Sequence, residues 1–505
     1  MSELNNVPVT EGEAKPAQNP AKIYETTSRD HLFLLLTLCY CVLVADIFFS
    51  SGRTALGHTV QVFAWYTLVL SSVGMGAMSR RENRILFLFN LFLALTLGLS
   101  SSPSFNSWNS LALLILLPVH TVALSGANLL PWHKPLMLWE RLCLLMQGLF
   151  GRLGAAPAAL TQAGKNRNPR RMTTVLLGGF VSILLLIILI PVLSSADALF
   201  AMATEGLRSF VRNHFFSGFL RFLFGLGLTP FVFGLLYSLR HPEPLKSPVK
   251  EKNLTWDATG FVMVLAALDA LYLLFLAVQS TGLFGGVEYL AARGISYAEW
   301  ARSGFFQMVG VTIVNLSVIL IALSASLQKG KSWRVVRLLS AVLVVESLVL
   351  LTSAAWRMTL YVGAYGLSFK RVMTYWGMVA MALFFLTASR KIKKPDFSFC
   401  RAAFPLALAL WLVINCIPVD YLVAKNQVDR YLSGQSSTIS VEYLVSLSYD
   451  TLHQLDRLEG MTVCSSYGGE QNMDDLLSYR RERAVRDCSD WHTWSLSACL
   501  AALGS

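Results

Sequence analysis

Residues 279–307, with the sequence QSTGLFGGVEYLAARGISYAEWARSGFFQ, lie between two apolar runs at 258–279 and 304–327. The segment contains five glycines, six aromatic residues and two Glu/Arg pairs. It is too polar to cross a membrane and too apolar for an ordinary solvent-exposed loop. Glycines let the backbone turn where side chains would clash, and mixed aromatic and charged side chains suit a membrane–water boundary. The sequence around it therefore predicts apolar membrane helices joined by interfacial segments.

The composition of the whole chain supports this interpretation. Of the 505 residues, 54% are hydrophobic and only 14% are charged, whereas soluble domains have about 25% charged residues. The apolar residues form blocks of about 15–24, most of them long enough to cross about 30 Å of hydrocarbon. We count eleven such blocks and predict an all-α, polytopic transmembrane helix bundle: 31–49, 57–78, 85–99, 109–125, 173–193, 218–239, 258–279, 304–327, 335–356, 372–388 and 402–419.

The distribution of basic residues predicts the orientation in the membrane. The formal charge is +12, but all 42 Lys and Arg residues lie outside the apolar blocks or at their edges. Loops on one side, which include the N-terminal tail, hold 26 of them, and loops on the other side hold nine. Basic residues are enriched on the cytoplasmic side of membrane proteins. We expect a bacterial inner membrane protein with a cytoplasmic N-terminus and a periplasmic C-terminus, with the lipid bilayer rather than nucleic acid as its partner.

The chain divides by composition into five parts. Residues 1–30 are polar and predict a disordered cytoplasmic tail, and residues 31–126 hold the first four spans. Residues 127–171 combine an amphipathic surface helix at 135–153 with a flexible linker, and residues 172–419 hold the last seven spans. Residues 420–505 predict a small helical tail on the outer side. In this tail Ser440 is expected to cap a helix that runs to about Glu459, and the tail is expected to pack on the outer loops.

Three consecutive predicted spans each carry one polar residue near the middle, namely Asp269, Asn315 and Glu346. A charged side chain at this depth costs about 2.5–3.5 kcal/mol on insertion scales, so it normally faces other helices or water. One hypothesis is a buried site for a proton, an ion or a polar substrate. The alternative is a helix-packing cluster whose hydrogen bonds contribute about 0.6 kcal/mol each.

A second group of candidates lies near the outer boundary. Glu299 and Arg302 share a face if YAEWAR is helical. The segment after the ninth block adds Arg and Tyr side chains that would bind a phosphate or carboxylate, or serve as interface anchors: Arg357, Tyr361, Tyr365 and Arg371. Together these residues predict a site for a small polar ligand or an envelope protein partner on the outer side.

No familiar catalytic or cofactor-binding pattern is present. The sequence has no GxSxG, HExxH, Walker A or GxGxxG motif, and its eight histidines and eight cysteines show no metal-ligand spacing. We therefore expect no catalytic residue, metal or cofactor. The outer location of the tail permits disulfides, and we predict a Cys464–Cys488 bond that leaves Cys499 unpaired, the alternative being three free thiols.

Several motifs in the same order resemble a family of uncharacterised bacterial multi-pass inner-membrane proteins, defined only by a domain of unknown function. They are LDALYLLFLAVQSTGLFGG (268–286), YAEWARSGFFQ (297–307), AAWRMTLYVGAYGLSFKR (354–371), PVDYLVAKNQVDRYLSG (418–434), VEYLVSLS (441–448) and DWHTWSLS (490–497). The resemblance covers about 218–500. It implies placement in the bacterial inner membrane and supplies no reaction.

Three functions remain open from the sequence. The first is an envelope sensing, regulatory or scaffold protein that uses its outer loops and tail. The second is a transporter or channel that uses Asp269, Asn315 and Glu346, although only the sixth span looks interrupted, at 225–230. The third is a membrane enzyme that acts on a lipid-linked substrate at the outer interface, for which no nucleophile–base pair is visible.

Overall fold

The computed structural model describes residues 28–50, 55–125, 129–134, 136–164, 216–242, 256–284, 305–465 and 469–504, together with residues 182, 185 and 189. These residues form seventeen α-helices and one two-stranded sheet. Eight of the helices are long and apolar enough to cross a membrane. The predicted all-α, polytopic bundle is confirmed.

Helices cover ten of the eleven predicted blocks, and the fifth block (173–193) lies outside the described residues. The helices before the tail are α1 (Ser28–Phe48), α2 (Leu56–Val73), α3 (Arg81–Leu99), α4 (Pro103–Leu124), α5 (Met137–Gly151), α6 (Ala155–Gly164), α7 (Phe216–Arg240), α8 (Ala258–Phe284), α9 (Phe305–Ala325), α10 (Gly330–Tyr365), α11 (Phe369–Lys393) and α12 (Phe399–Cys416). Helix α5 forms where the amphipathic segment 135–153 predicts one.

A first group of helices packs around one apolar core. This core joins side chains of α2, α3 and α4 with Leu235, Leu236 and Leu239 of α7 and Leu408 of α12. Helix α7 also packs along α1, where a Cβ atom on Gly225 would lie 2.9 Å from the Val42 backbone. The sixth and eleventh predicted spans thus pack on the first four, although they are distant from them in the sequence.

Helix α7 is continuous from Phe216 to Arg240, so the expected interruption at 225–230 is wrong. Pro230 lies inside the helix and lacks the N–H that would continue the ladder of hydrogen bonds. The Thr229 hydroxyl donates to the Gly225 carbonyl at 2.8 Å. The proline is therefore accommodated within a helix that continues on both sides of it.

A second group consists of α8, α9, α10 and α11. Its core contains Leu265 of α8, Ile319 of α9, Leu343 of α10 and Phe385 of α11, which are fully buried. At one end of this group the backbone N–H of Trp256 donates to the Ala325 carbonyl at 2.8 Å, and this ties the start of α8 to the end of α9.

The helix ends separate into two faces. The basic face carries the Lys- and Arg-rich loops, and there Arg240 pairs with Asp30 and Arg337 donates to the Ile392 carbonyl at 2.8 Å. The opposite face, here called the tail face, includes the ends of α1, α3, α10 and α12 at Phe48, Leu99, Tyr365 and Cys416. The separation agrees with the unequal distribution of basic residues in the sequence.

The C-terminal tail is a folded unit with its own core. Its elements are α13 (Val419–Leu432), α14 (Val441–Ser446), α15 (Leu452–Leu455), β1 (Thr462–Cys464), β2 (Glu470–Asn472), α16 (Met473–Ser489) and α17 (Leu496–Leu503). Strands β1 and β2 pair antiparallel, with Val463 opposite Gln471. Buried Leu444, Leu455, Val463 and Leu477 pack with Phe105 and Phe369 of the membrane helices. The tail core is therefore continuous with the bundle.

The prediction of one continuous helix from Ser440 to about Glu459 is wrong. Helix α14 ends at Ser446, and short 3₁₀ turns flank α15. The backbone N–H groups that would continue the helix bond elsewhere, because Ser448 N–H donates to Asp420 Oδ2 at 3.1 Å and Tyr449 N–H donates to Ser101 Oγ at 2.8 Å. The sheet of β1 and β2 was not expected either.

The predicted disulfide is also wrong. Cys488 bonds to Cys499 with a Cα–Cα distance of 5.1 Å, whereas Cys464 is a free, exposed thiol. Cys488 lies at the end of α16, and α17 folds back against that helix, which brings Cys499 next to it. Cys464 lies on β1, where its cross-strand partner is Glu470.

The tail packs on the loops of the tail face, as expected. The imidazole of His492 lies between two carboxylates, with Nε2 2.9 Å from Asp46 Oδ2 and Nδ1 3.0 Å from Asp490 Oδ1. Asp46 also pairs with Arg221 of α7. The Ala55 N–H donates to the His492 carbonyl at 2.8 Å. These contacts fix the tail to α1 and to the start of α2, and Arg221 links the same Asp46 to α7.

Candidate functional site

The structure brings Asp269, Asn315 and Glu346 together between α8, α9 and α10. Their exposed fractions are 5%, 0% and 4%. Asn315 is ten residues from each end of α9, about 15 Å of helix. Tyr272 is three residues from Asp269 and shares its helix face. The three polar residues thus lie inside the second helix group rather than on its lipid-facing surface.

A row of hydrogen bonds crosses this site. The Tyr272 hydroxyl donates to Asn315 Oδ1 at 2.8 Å, and Asn315 Nδ2 donates to Ser347 Oγ at 3.0 Å. Ser347 follows Glu346 on α10, so the row runs beside both carboxyl groups. Tyr272 and Ser347 were not identified from the sequence. The sequence could have indicated them by position, because Tyr272 is three residues from Asp269 and Ser347 is next to Glu346.

The two carboxyl groups lie close enough to influence each other electrostatically, but no hydrogen bond of normal geometry joins them. Within the described part of the chain, no other group donates a hydrogen bond to any of their four oxygens. Two adjacent carboxylates in a low-dielectric environment cannot both remain charged without a compensating cation or proton. The arrangement therefore has the chemistry of a site that holds a proton or a small cation.

The predicted outer site is only partly described. Glu299 and Arg302 lie outside the described residues. Arg357 is buried on α10, and the rings of Tyr361 and Tyr365 lie 5.1 Å apart on the same helix. These residues are near the end of α10 at the tail face.

Arg371 is engaged by the end of α10 itself. Its Nη1 donates to the Tyr365 carbonyl at 3.0 Å and also to the Gly366 carbonyl. The guanidinium lies 4.3 Å from the centre of the Tyr361 ring. The last carbonyls of a helix lack partners within the helix, and basic side chains commonly satisfy them. These contacts give Arg371 a structural role at the helix terminus.

Three residues of α13 complete this helix terminus and were not singled out from the sequence. Asn426 Oδ1 accepts from the Leu367 N–H at 2.7 Å, and Gln427 Nε2 donates to the Leu367 carbonyl at 2.6 Å. Arg430 donates to the Gly363 and Ala364 carbonyls at 2.8 and 2.9 Å. Gly366 has φ of +74°, which favours glycine. The sequence KNQVDRY thus closes the end of α10.

The first helix group also contains a buried polar network that the sequence patterns did not reveal. Asn90 Nδ2 donates to the Tyr66 hydroxyl oxygen at 2.8 Å, and that hydroxyl lies 2.7 Å from His120 Nδ1. Trp65 Nε1 donates to Thr121 Oγ1 at 2.8 Å. The positions of Asn90 and His120 inside apolar blocks are the feature of the sequence that could have indicated this network. The network joins α2, α3 and α4 and contains no carboxyl group.

Comparisons with known proteins identify a family without a known activity. The family model for a domain of unknown function, DUF4153, matches residues 67–458, which is 392 of the 505 residues. The expected uncharacterised family is confirmed. The match begins in α2, well before residue 218, and so includes most of the first four spans. No curated protein and no solved structure matches the chain.

Proposed function

We propose that this chain, which belongs to the DUF4153 family, is a membrane transporter or channel that conducts protons, and that its proton site is the Asp269–Glu346 pair. The observation that carries the proposal is the burial of two adjacent carboxyl groups between membrane helices without any other described hydrogen-bond donor. One proton bound by the pair leaves a single negative charge, and a second proton neutralises the site.

Energetics favour a functional site over a packing cluster. A hydrogen-bonded cluster stabilises helix packing when its polar groups are satisfied, as Tyr272, Asn315 and Ser347 are. Asp269 and Glu346 instead bring two acidic groups into the bundle at a cost of several kcal/mol. Intramembrane acids of this kind commonly serve in proton pathways. The neighbouring row of hydroxyl and amide groups supplies polar partners for a proton that enters or leaves.

The proposed membrane is the bacterial inner membrane, with the basic face in the cytoplasm and the tail face in the periplasm. The distribution of 26 and nine basic residues supports this orientation. It gives a cytoplasmic N-terminus and a periplasmic tail. The Cys488–Cys499 bond is consistent with that placement, because disulfides persist in the oxidising periplasm.

A sensing or regulatory role is the second candidate, and the folded tail favours it. The tail has its own apolar core and is joined by hydrogen bonds to α1, to the start of α2 and to the loop between α3 and α4. A ligand or envelope protein bound there would thus act on the membrane helices directly. The enzyme hypothesis gains no support, because Glu299 and Arg302 lie outside the described residues and Arg371 serves the end of α10.

The proposal is tested by proton flux in proteoliposomes that contain the full chain, driven by an imposed pH gradient. We expect flux above that of empty liposomes, and its loss in Asp269→Asn and in Glu346→Gln. Asp475→Asn is the matched control, since Asp475 is exposed on α16 of the tail. Wild-type flux equal to that of empty liposomes, or unchanged flux in both bundle variants, would contradict the proposal.

A further inference from the structure

A cavity of about 180 Å³ lies at the seam between the membrane helices and the tail. Its wall is formed by the ends of α3, α4 and α12, the start of α13 and the turn after α14. The lining includes Ser102, Phe105, Asn415, Asp420, Ser448 and Asp450. The cavity does not include Asp269 or Glu346, so this inference does not rest on the proposed transport function.

The cavity has two buried polar groups without a hydrogen-bond partner. Asp420 is 4% exposed, and its Oδ2 accepts from the Ser448 N–H at 3.1 Å while Oδ1 has no partner. Ser102 is 3% exposed, and its hydroxyl lies near the Asp420 carboxyl without a hydrogen bond of normal geometry. Buried polar atoms are nearly always paired, and the space beside Asp420 Oδ1 in the cavity has room for a hydrogen-bond donor.

The charge of the cavity is negative. Asp450 is the second carboxylate, and its oxygens accept from Ser448 Oγ at 3.1 Å and from Ser497 Oγ at 2.6 Å. The lining contains no Lys, Arg or His. Burial raises the pKa of Asp420, and the nearby charge of Asp450 raises it further, although the Ser448 N–H and the nearby hydroxyl groups of Ser102 and Ser448 oppose both effects. A bound cation that donates hydrogen bonds would remove the unfavourable burial.

We propose that this cavity binds a primary ammonium group on a small organic molecule. An ammonium group carries three N–H donors, which matches Asp420 Oδ1, the second lone pairs of Asp450 and the Ser102 oxygen. The apolar side chains of Phe105, Ile417 and Val419 line the same space and suit a short carbon stem.

A bare metal ion fits less well. Calcium takes six to eight oxygen ligands, whereas two carboxylates and a few hydroxyls line this cavity. Among the residues that the structure describes, no group of three His, Cys, Asp or Glu side chains is placed to hold a metal. A quaternary ammonium lacks N–H donors, so it would leave Asp420 Oδ1 unsatisfied. The geometry therefore selects a primary ammonium.

Two sources would supply this group at the membrane boundary. One is the headgroup of an ethanolamine phospholipid, and the other is a free amine in solution. The chemistry of recognition is the same, and nanodiscs of defined lipid composition separate the two.

The test uses the full chain in nanodiscs made only of phosphatidylcholine, titrated with ethanolamine in a calorimeter. We expect saturable binding that is weakened about 10- to 100-fold in Asp420→Asn and also reduced in Ser102→Ala, because each substitution removes an acceptor from the site. Asp475→Asn, on the exposed face of α16, should bind as the wild type does. If Asp420→Asn does not fold, Ser102→Ala still tests the proposal.

Nanodiscs with phosphatidylethanolamine identify the source. If the lipid occupies the cavity, free ethanolamine no longer binds in these discs. If a free amine is the ligand, its binding is unchanged. Three results would overturn the proposal: no ethanolamine binding in phosphatidylcholine discs, equal binding of choline or calcium, or wild-type affinity in both Asp420→Asn and Ser102→Ala.

Discussion

Removal of the Cys488–Cys499 bond should loosen the end of the tail that contacts the membrane helices. The bond joins residues separated by 11 positions, and the chain-entropy relation for a loop of this length gives about 2.8 kcal/mol at 25 °C. The closed loop contains Asp490 and His492, and His492 contacts Asp46 of α1. In Cys499→Ser the open population of this segment should therefore rise about 100-fold.

Native-state proteolysis measures this population. Chymotrypsin cuts after Trp494, inside the closed loop, only when this segment opens, because the Trp494 carbonyl accepts from the Leu56 N–H in the folded state. The cleavage rate follows the open population when closing is fast. We expect cleavage of Cys499→Ser to be about 100-fold faster than that of the wild type. Reduction of the wild type with dithiothreitol should give the same rate.

Cys464→Ser is the matched control. Cys464 is an exposed free thiol on β1, so its replacement should change the cleavage rate by no more than about twofold. A rise of less than about threefold in Cys499→Ser would refute the entropic estimate. Peptide mapping that joins Cys464 to Cys488 would refute the assignment of the bond.

Three further predictions concern helix packing, the end of α10 and the pH dependence of stability. Gly225→Ala should destabilise the packing of α7 on α1 by about 1–3 kcal/mol, because the new methyl group meets the Val42 backbone. Gly227→Ala is the control, since a methyl group there has open space. In a thermal unfolding assay it should melt as the wild type does. Arg430→Lys should lower the melting temperature and reduce the free energy of unfolding by about 1 kcal/mol, because one ammonium group cannot replace both guanidinium hydrogen bonds to the end of α10. An unchanged melting temperature would show that these hydrogen bonds do not contribute to stability. Burial raises the pKa of Asp420 in the folded state, so between the two pKa values the folded state binds more protons than the unfolded state does. The stability of the tail should therefore fall as the pH rises from the pKa of Asp420 in the unfolded state through its pKa in the folded state. Asp420→Asn should flatten that part of the pH–stability curve and should be more stable than the wild type above it; a curve that keeps its slope would contradict the burial of a costly charge.

The membrane region was predictable because its signal is local. A run of apolar residues long enough to cross the bilayer forms a helix whatever its neighbours are. The mid-span positions of Asp269, Asn315 and Glu346 indicated a common depth, and the structure places them together. The rotation of each helix about its axis depends on packing, and for this reason Tyr272 and Ser347 were not recognised as members of the same site.

The tail was less predictable because non-local contacts decide its local structure. Ser448 and Tyr449 leave the helix because their backbone N–H groups bond to Asp420 and Ser101. Ser101 is 348 positions away from Tyr449 in the chain. The disulfide was assigned wrongly for a similar reason, since the packing of α17 on α16 determines which cysteine meets Cys488. Polar, helix-compatible sequence alone cannot specify these partners.

The proposed proton site is tested most directly by infrared spectroscopy of the full chain reconstituted in lipid. A protonated carboxyl group in an apolar environment has a C=O stretching band that is distinct from the bands of a carboxylate. We expect such a band near neutral pH from the Asp269–Glu346 pair, its loss on alkaline titration, and its absence or shift in Glu346→Gln, with no change in Asp475→Asn. A spectrum without this band at neutral pH, or a band that Glu346→Gln and Asp269→Asn both leave unaltered, would contradict the assignment.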